Sequence, residues 1–264
     1  MCLILFAWQA HPRYELVLAA NRDEFHQRPT AGAEFWRDDP GILAGRDLQA
    51  GGTWMGVGKD GRFAALTNYR EPQAPGTAAE RSRGCLVKDY LGGDDLPLAA
   101  ASRIQGAGQA YDGFNLLLGQ PGQLVYVSNR EKGVAGIEPG VHGLSNHLLD
   151  TDWPKVHAGR ERLENLVSAE DFHADDLFDL MTDRGRIGGA WPGGVSHHLA
   201  PEELMHHYFI RSPVYGTRCT TVLLLQRDGT VRFEERRFAP DGSVSGVSVF
   251  EFEVRQDGLQ EISP

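Results

Sequence analysis

The chain has 264 residues, of which 41% are hydrophobic and 23% are charged. This composition supports a packed core and excludes a disordered tail or a miniature scaffold. The 26 basic and 36 acidic side chains leave a net charge of −10 with neutral histidine. No stretch concentrates Lys and Arg, which disfavours a nucleic-acid-binding surface.

The three cysteines, Cys2, Cys85 and Cys219, are few and widely spaced. They predict neither a disulfide framework nor a paired metal-binding motif. No run approaches the roughly 18 apolar residues that cross a bilayer, and the N-terminus lacks the features of a signal peptide. We therefore expect a cytoplasmic protein without an integral membrane segment, although its oligomeric state does not follow from the sequence.

Apolar runs of strand length dominate the first half. Residues 3–8 are apolar on both faces, which favours a central strand, and residues 14–20 predict its hairpin partner. An Asp-Gly turn at 60–61 joins two predicted strands, and a short helix is expected at 82–91. The further predicted strands of this half are 51–58, 63–67, 114–118 and 123–128.

Helical patterns are concentrated in the second half. A segment that Asp152-Trp153-Pro154 opens and that runs to about residue 167 predicts one helix, and residues 172–182 predict another. The Gly-rich stretch 184–196 predicts a loop, and strands are expected at 217–226, 231–238 and 247–255. We expect one α+β domain spanning residues 1–264, with mixed sheet and helix layers.

Cys2 is the most informative candidate residue. Removal of the preceding methionine would leave Cys2 with a free α-amine, so that one residue would provide both a thiol nucleophile and a base. The alternative is a small apolar residue at the start of a buried strand, and position alone favours that alternative.

Polar side chains follow the second predicted strand at Asn21-Arg22-Asp23. In a short antiparallel hairpin this end lies beside Cys2, where Asp23 could hold an α-ammonium and Arg22 could stabilise a thiolate. Consecutive strand residues face opposite ways, so both point at Cys2 only if the strand has already turned. A capped turn with a surface ion pair is the alternative.

Three later side chains are further candidates. Asn68 follows a predicted strand and Asn146 lies in a Gly-containing segment; their amide groups could donate to an oxyanion, or they could be ordinary turn residues. Arg218 begins an otherwise apolar strand and would need an anionic partner, such as a thiolate, a substrate carboxylate or a structural acid.

Several motifs together resemble one known family. They are the Met-Cys start and the segments Ala19-Ala20-Asn21-Arg22-Asp23-Glu24-Phe25, Gly51-Gly52-Thr53-Trp54-Met55-Gly56-Val57, Leu66-Thr67-Asn68-Tyr69-Arg70, Ser82-Arg83-Gly84, Leu144-Ser145-Asn146 and Tyr215-Gly216-Thr217-Arg218. The chain is identified by them, from residue 2 to about residue 225, as a member of the NRDE family, also called the transport and Golgi organization 2 family.

This family resembles the N-terminal-nucleophile hydrolases, which implies a four-layer αββα sandwich of two mostly antiparallel sheets. Its order of elements is similar to that of the choloylglycine hydrolases and penicillin V acylases. The resemblance implies catalytic roles for Cys2, Arg22 and Asp23, Asn68, Asn146, and Arg218. Those acylases carry an Arg three residues before the Asp, where this chain has Ala20, so Asp23 is supported more directly than Arg22.

The resemblance implies a cysteine amidohydrolase that attacks a non-peptide amide or related acyl bond of a small molecule and needs no cofactor. The alternative is a non-enzymatic carrier of haem, lipid or acyl-CoA on the same fold, with His147 as the candidate haem ligand. The paired histidines 197–198 and 206–207 are more typical of solvated positions. A loop containing Trp191-Pro192 is the only indication of an interaction scaffold.

Overall fold

The computed structural model describes residues 2–71, 79–169, 171–185, 187 and 203–254. The predicted loop 184–196, Trp191-Pro192, and His197 and His198 therefore fall wholly or mostly outside the described residues. None of the described helices has the length and apolarity needed to cross a membrane.

Strands dominate the described part of the chain. Numbered along the sequence, they are β1 (Leu3–Trp8), β2 (Tyr14–Phe25), β3 (Thr30–Phe35), β4 (Ile42–Asp47), β5 (Met55–Gly58), β6 (Phe63–Asn68), β7 (Phe114–Gln120), β8 (Gln123–Ser128), β9 (Val134–Gly136), β10 (Gly140–Leu144), β11 (Tyr215–Gln226), β12 (Thr230–Phe238) and β13 (Val244–Glu253). The helices are α1 (Gly84–Leu91), α2 (Pro97–Gly106), α3 (Pro154–Val167) and α4 (Ala174–Met181), with 3₁₀ turns at Gly108–Ala110 and Glu203–His206.

The strands form two antiparallel sheets. The first has six strands in the order β10-β1-β2-β11-β12-β13, and the second has seven in the order β3-β4-β5-β6-β7-β8-β9. Helices α3 and α4 cover the outer face of the first sheet, while α1 and α2 cover the second. These layers form the αββα sandwich that the sequence motifs imply, and the α+β fold class is confirmed.

Alternation of side chains along β1 and β2 separates two of the apolar cores. Phe6 and Leu18 pack between the sheets with residues of the second sheet such as Leu117. Leu5 and Ala19, which adjoin Phe6 and Leu18 on these strands, pack against the helices α3 and α4. Because both faces are covered, β1 is apolar throughout, as the continuous run at residues 3–8 predicts, and β2 is apolar from Leu16 to Ala20.

The predicted hairpins and helices are present with shifted ends. The largest shift is at β2, which was expected to end at Ala20 and instead continues to Phe25 because β11 pairs with it over that length. The elements that the sequence pattern missed are β3, β4, β9, β10 and α2.

Gly52 brings the second sheet against the start of α1. The amide of Thr53 donates to the carbonyl oxygen of Gly84 (3.2 Å). A Cβ on Gly52 would lie 2.4 Å from the carbonyl carbon of Gly84, which no real contact allows. The Gly51-Gly52-Thr53 motif therefore permits a close backbone approach at the N-terminus of this helix.

We expect Gly52→Ala to lower the free energy of unfolding by about 1–3 kcal/mol, because the backbone of α1 must move to admit the methyl group. Urea unfolding measures the change. Gly106→Ala is the matched control, since nothing lies within 4 Å of a Cβ at this helical position and the substitution should be neutral or stabilising by up to about 1 kcal/mol. Equal effects of the two substitutions would contradict the close-approach explanation.

Candidate functional site

Cys2 directly precedes β1, whose two neighbours in the sheet are β2 and β10. Leu3 pairs with Asn21 of β2, and Ile4 pairs with Leu144 of β10. The backbone nitrogen of Cys2 donates to Oδ1 of Asn146 (3.1 Å), and the hydroxyl of Ser145 donates to the carbonyl oxygen of Cys2 (2.7 Å). Both hydrogen bonds therefore come from the segment that follows β10.

The segment Asn21-Arg22-Asp23 keeps the alternation of a strand. Nδ2 of Asn21 donates to the carbonyl oxygen of Met181, at the end of α4, so this side chain faces the helices. Arg22 turns to the other face, where its guanidinium lies 4.3 Å from the ring of Trp54. The sequence argument that Arg22 and Asp23 face opposite ways in an uninterrupted strand is consistent with this geometry.

Asp23 is almost completely buried on the helical side, with 5% of its surface exposed. Its Oδ1 accepts a hydrogen bond from the hydroxyl of Thr217 (2.6 Å). Burial raises the pKa of the Asp23 carboxyl, and the nearby charges of Lys155 and Arg22 oppose that increase. Buried carboxyls with a shifted pKa are found more often at functional sites than elsewhere.

The two candidate amides occupy different environments. Nδ2 of Asn146 donates to the backbone carbonyl oxygen of Asn68 (2.7 Å), so both ends of the Asn146 amide are already hydrogen-bonded. The side chain of Asn68 is exposed at the end of β6. The backbone of Arg70 donates to the carbonyl oxygen of Asn146 (2.7 Å) and joins the two sheets at this end.

One cavity of about 110 Å³ collects most of the predicted site residues. Cys2, Arg22, Asp23 and Asn68 line it. Its remaining walls come from both sheets and from the start of α1, and consist of Glu24, Arg28, Asp47, Thr53, Trp54, Leu66, Ser82, Arg83 and Gly84. The volume is small beside the roughly 300–1,000 Å³ of drug-sized sites, and suits the reacting end of a small molecule.

Arg218 does not line this cavity. It is the extra residue of a β-bulge, since Thr217 pairs with Asp23 and Cys219 pairs with Arg22. Its Nη1 donates to the carbonyl oxygens of Phe25 (2.9 Å) and Arg28 (3.2 Å). Backbone carbonyls of the turn after β2 thus replace the anionic partner that was expected for this cation.

Lys155, which no sequence motif indicated, is fully buried on the helical side of the site. No hydrogen-bond partner for its Nζ is found in the described part of the chain. Burial lowers the pKa of Lys155 to about 8, while the neighbouring Asp23 and Cys2 oppose the decrease. A sequence signal exists, because Lys155 begins the buried stripe that continues at Gly159, Leu163 and Val167 along α3.

Arg83, which lies in the Ser82-Arg83-Gly84 motif and had no predicted role, also lines the cavity.

The histidine considered as a haem ligand already has partners. Nε2 of His147 lies 3.0 Å from the hydroxyl of Tyr69, and Nδ1 lies 2.9 Å from Oγ1 of Thr151. Both ring nitrogens would have to leave these partners before either could bind iron. His206 Nδ1 lies 3.0 Å from the carbonyl oxygen of Ile187.

Comparison with known proteins identifies close relatives along nearly the whole chain. The family model described as "Transport and Golgi organisation 2" matches residues 1–240. The "Transport and Golgi organization protein 2 homolog" of Bos taurus is 36% identical over 259 residues, covering 89% of this chain and 92% of the relative. The homologue from Homo sapiens is 36% identical over 257 residues, with the same coverage of 89% and 92%.

Similar solved structures are more distant. An N-acylethanolamine-hydrolyzing acid amidase orthologue from Caenorhabditis elegans has a TM-score of 0.49 and 10% identity, and the match covers 84% of this chain and 92% of that one. Penicillin V acylase from Agrobacterium tumefaciens has a TM-score of 0.47 and 11% identity, with coverage of 96% and 86%.

Asp150 stabilises the segment that carries Asn146. Its Oδ1 accepts from the amide of Gly143 (2.8 Å), and its Oδ2 lies 2.8 Å from Nδ1 of His142. Burial disfavours both charges, but these hydrogen bonds outweigh it, so the pKa of Asp150 is lowered and that of His142 is raised. Asp150 has a positive φ of 55°, which asparagine also tolerates.

We expect Asp150→Asn to lower the free energy of unfolding by about 1–2 kcal/mol, since a charged hydrogen bond is lost. The Asp150 contribution is present above about pH 4 and is lost as pH falls through its lowered folded-state pKa. The His142 contribution is complete below about pH 6.5 and is lost as pH rises through its raised folded-state pKa. The effect should therefore be largest near about pH 5.5.

Urea unfolding of wild type and variant across this pH range measures the effect. Asp152→Asn is the control, because Asp152 has 89% of its side chain exposed where it approaches His157 and should contribute little. A loss for Asp150→Asn that is independent of pH would show that the ionic pair is not its source.

Proposed function

The chain belongs to the Transport and Golgi organisation 2 family, and on this premise we propose that it is an N-terminal cysteine hydrolase of a small-molecule amide or related acyl bond. The observation that carries the proposal is the hydrogen bond of 3.1 Å from the nitrogen of Cys2 to Asn146, at the wall of a cavity shared with Asp23 and Asn68. The αββα layers and the order of the sequence motifs support the same reading.

Removal of Met1 would convert the Cys2 nitrogen into an α-amine beside its own thiol. The sulfur attacks the acyl carbon, and the α-amine accepts the thiol proton and passes it to the departing amine. The C–N bond breaks and leaves a thioester on Cys2. Water then adds to the thioester, which releases the acid and returns the proton to sulfur.

The neighbouring residues divide the supporting roles. Asn146 orients the α-amine through Oδ1, and the exposed amide of Asn68 is the better placed donor to the oxyanion, because the Asn146 donor is engaged by a carbonyl. Asp23, buried near Lys155, provides the carboxylate that stabilises the ammonium form of the amine. Arg22 presents a cation to the cavity wall, while Arg218 positions the turn after β2.

The engaged ring of His147 and the small polar cavity favour hydrolysis over the haem-carrier alternative. The carrier hypothesis makes a different prediction, because haem binding measured by Soret absorption would not depend on the Cys2 thiol.

We expect Cys2→Ala to abolish hydrolysis of N-acyl amides, by at least roughly 10³-fold, because the nucleophile is lost. Folding should be unchanged, since the substitution is small and precedes β1. Release of free amine from a panel of short-chain, fatty and arylacetyl amides is the measurement, with thermal unfolding as the check. Cys85→Ala is the control, because Cys85 is a partly exposed thiol in α1 that does not line the cavity.

Intact mass of the protein from its native cells tests the first step directly. Retention of Met1 would exclude the mechanism. Absence of amine release, combined with haem binding that survives Cys2→Ala, would support the carrier alternative.

We expect Asn68→Ala to lower kcat by about 10²–10³-fold with little change in KM, because an oxyanion donor acts in the transition state. The melting temperature should stay near that of wild type, since this side chain is exposed. Asn146→Ala should lower both kcat and the melting temperature, because its amide holds Cys2 and Asn68. A kcat for Asn68→Ala within threefold of wild type would exclude the donor role.

A further inference from the structure

The positive and negative side chains that line the cavity do not fully neutralise one another. Three arginines and three acids line its wall, but some of them are already paired. Arg28 donates to Oδ2 of Asp47 through Nε (2.9 Å) and Nη2 (2.6 Å), which closes one ion pair. Asp23 is held by Thr217 and faces Lys155 on the helical side. Two guanidinium groups, of Arg22 and Arg83, then remain against one carboxylate, that of Glu24, whose Oε2 also lies 3.8 Å from Nε of Arg28.

Arg22 is 6% exposed, and its carboxylate partner is distant. The closest contact, from Nη2 to Oε2 of Glu24, is 3.9 Å, which is beyond hydrogen-bond distance. Its Nη1 donates to the hydroxyl of Thr30 (3.2 Å), and its plane packs on Trp54. The aromatic ring and the hydroxyl hold the guanidinium in place without neutralising it.

The positive charge of Arg83 is compensated even less than that of Arg22. Its Nη1 donates to the carbonyl oxygen of Gly113 (3.0 Å), and no described carboxylate lies within 4.0 Å of its guanidinium. Burial lowers the pKa of Arg83, and the charged groups that favour its cation are Asp112, Cys2 and Glu24. A largely desolvated guanidinium without an anion is costly, unless a ligand supplies that anion.

We infer that Arg83, with Arg22 from a different wall, forms an anion-binding subsite next to Cys2, and that the substrate carries a carboxylate or phosphoryl group close to the scissile bond. The inference depends on the proposed function for the reaction, but not for binding. The chain as a whole has a charge of −10, so the positive cavity is a local feature and would draw the anionic end of a substrate inward.

Binding to Cys2→Ala tests the subsite, because no thiolate is then present to account for the cations. The probes are N-octanoylglycine, N-octanoylglycinamide and N-octanoyl-aminomethylphosphonate, which share the acyl chain and differ in the terminal group. Calorimetry should give at least about tenfold tighter binding for one or both anionic compounds than for the amide, the equivalent of one charge-assisted hydrogen bond. The two anions distinguish a carboxylate from a phosphoryl site.

Adding Arg83→Gln should reduce the preference to within about twofold, whereas Arg83→Lys should keep part of it, since the charge remains without the planar fork. Arg81→Gln is the matched control, because Arg81 is exposed, pairs with Asp89 and does not line the cavity. Melting temperatures identify any variant that fails to fold. If Arg83→Gln fails to fold, the comparison of the three compounds in Cys2→Ala by itself decides whether the subsite exists.

Equal affinities for the three compounds in Cys2→Ala, or a preference that persists in folded Arg83→Gln, would overturn the subsite. Its failure is separable from failure of the proposed function. An anion preference in Cys2→Ala without amine release by wild type leaves the subsite and removes the hydrolase. If the wild-type protein releases amine at a rate that does not depend on the terminal charge, the hydrolase remains and the subsite is excluded.

Discussion

Strand register at the start of β1 is the constraint on which the site depends. Leu3 lies opposite Asn21 and Ile4 opposite Leu144, which brings Cys2 between the ends of β2 and β10. A slip of β2 by one residue against its neighbours would exchange the two faces of that strand. Asp23 would then point between the sheets and Arg22 toward α3. The two apolar cores on either side of β1 and β2 oppose such a slip, so packing of the core maintains the arrangement of the candidate site.

Buried charge at the end of β2 opposes stability. Arg22 and Asp23 are each about nineteen-twentieths buried, and Lys155 is completely buried. Desolvation of such groups is unfavourable, and well-packed apolar residues in their place are often neutral or stabilising. Ionisable groups in this state are typical of sites that handle charge, and here Arg22 and Asp23 line the same cavity as Cys2. Their positions are consistent with function more than with stability.

Much of the local structure could be predicted from residue patterns. The continuous apolar run at β1 predicts a strand covered on both faces, and the Asp-Gly turn before Phe63 predicts the hairpin of β5 and β6. Proline at the first turn predicts the start of α3. The missed strands are short or only partly apolar: β9 spans Val134–Gly136, and β3 is mostly half-buried at a sheet edge. Their pairing with distant strands supplies what their own residues do not.

The lining of the cavity was predictable where the residues that form it follow strands in sequence, and less so elsewhere. Cys2, Asp23 and Asn68 could be identified because each lies at or near a strand end, and antiparallel pairing brings such ends together. Lys155 was not, because only the packing of α3 reveals that its position in the buried stripe lies beneath Asp23.

By itself the sequence determined the order of the motifs, the family and the residue types available to the candidate site. The tertiary structure decided which of these side chains lie together at the cavity. A bulge in β11 turns Arg218 away to backbone carbonyls, whereas the close approach of Gly52 and Gly84 brings Arg83 to the cavity. The physical reason is that side-chain direction in a sheet depends on pairing between strands far apart in the chain, which no local pattern of residues specifies.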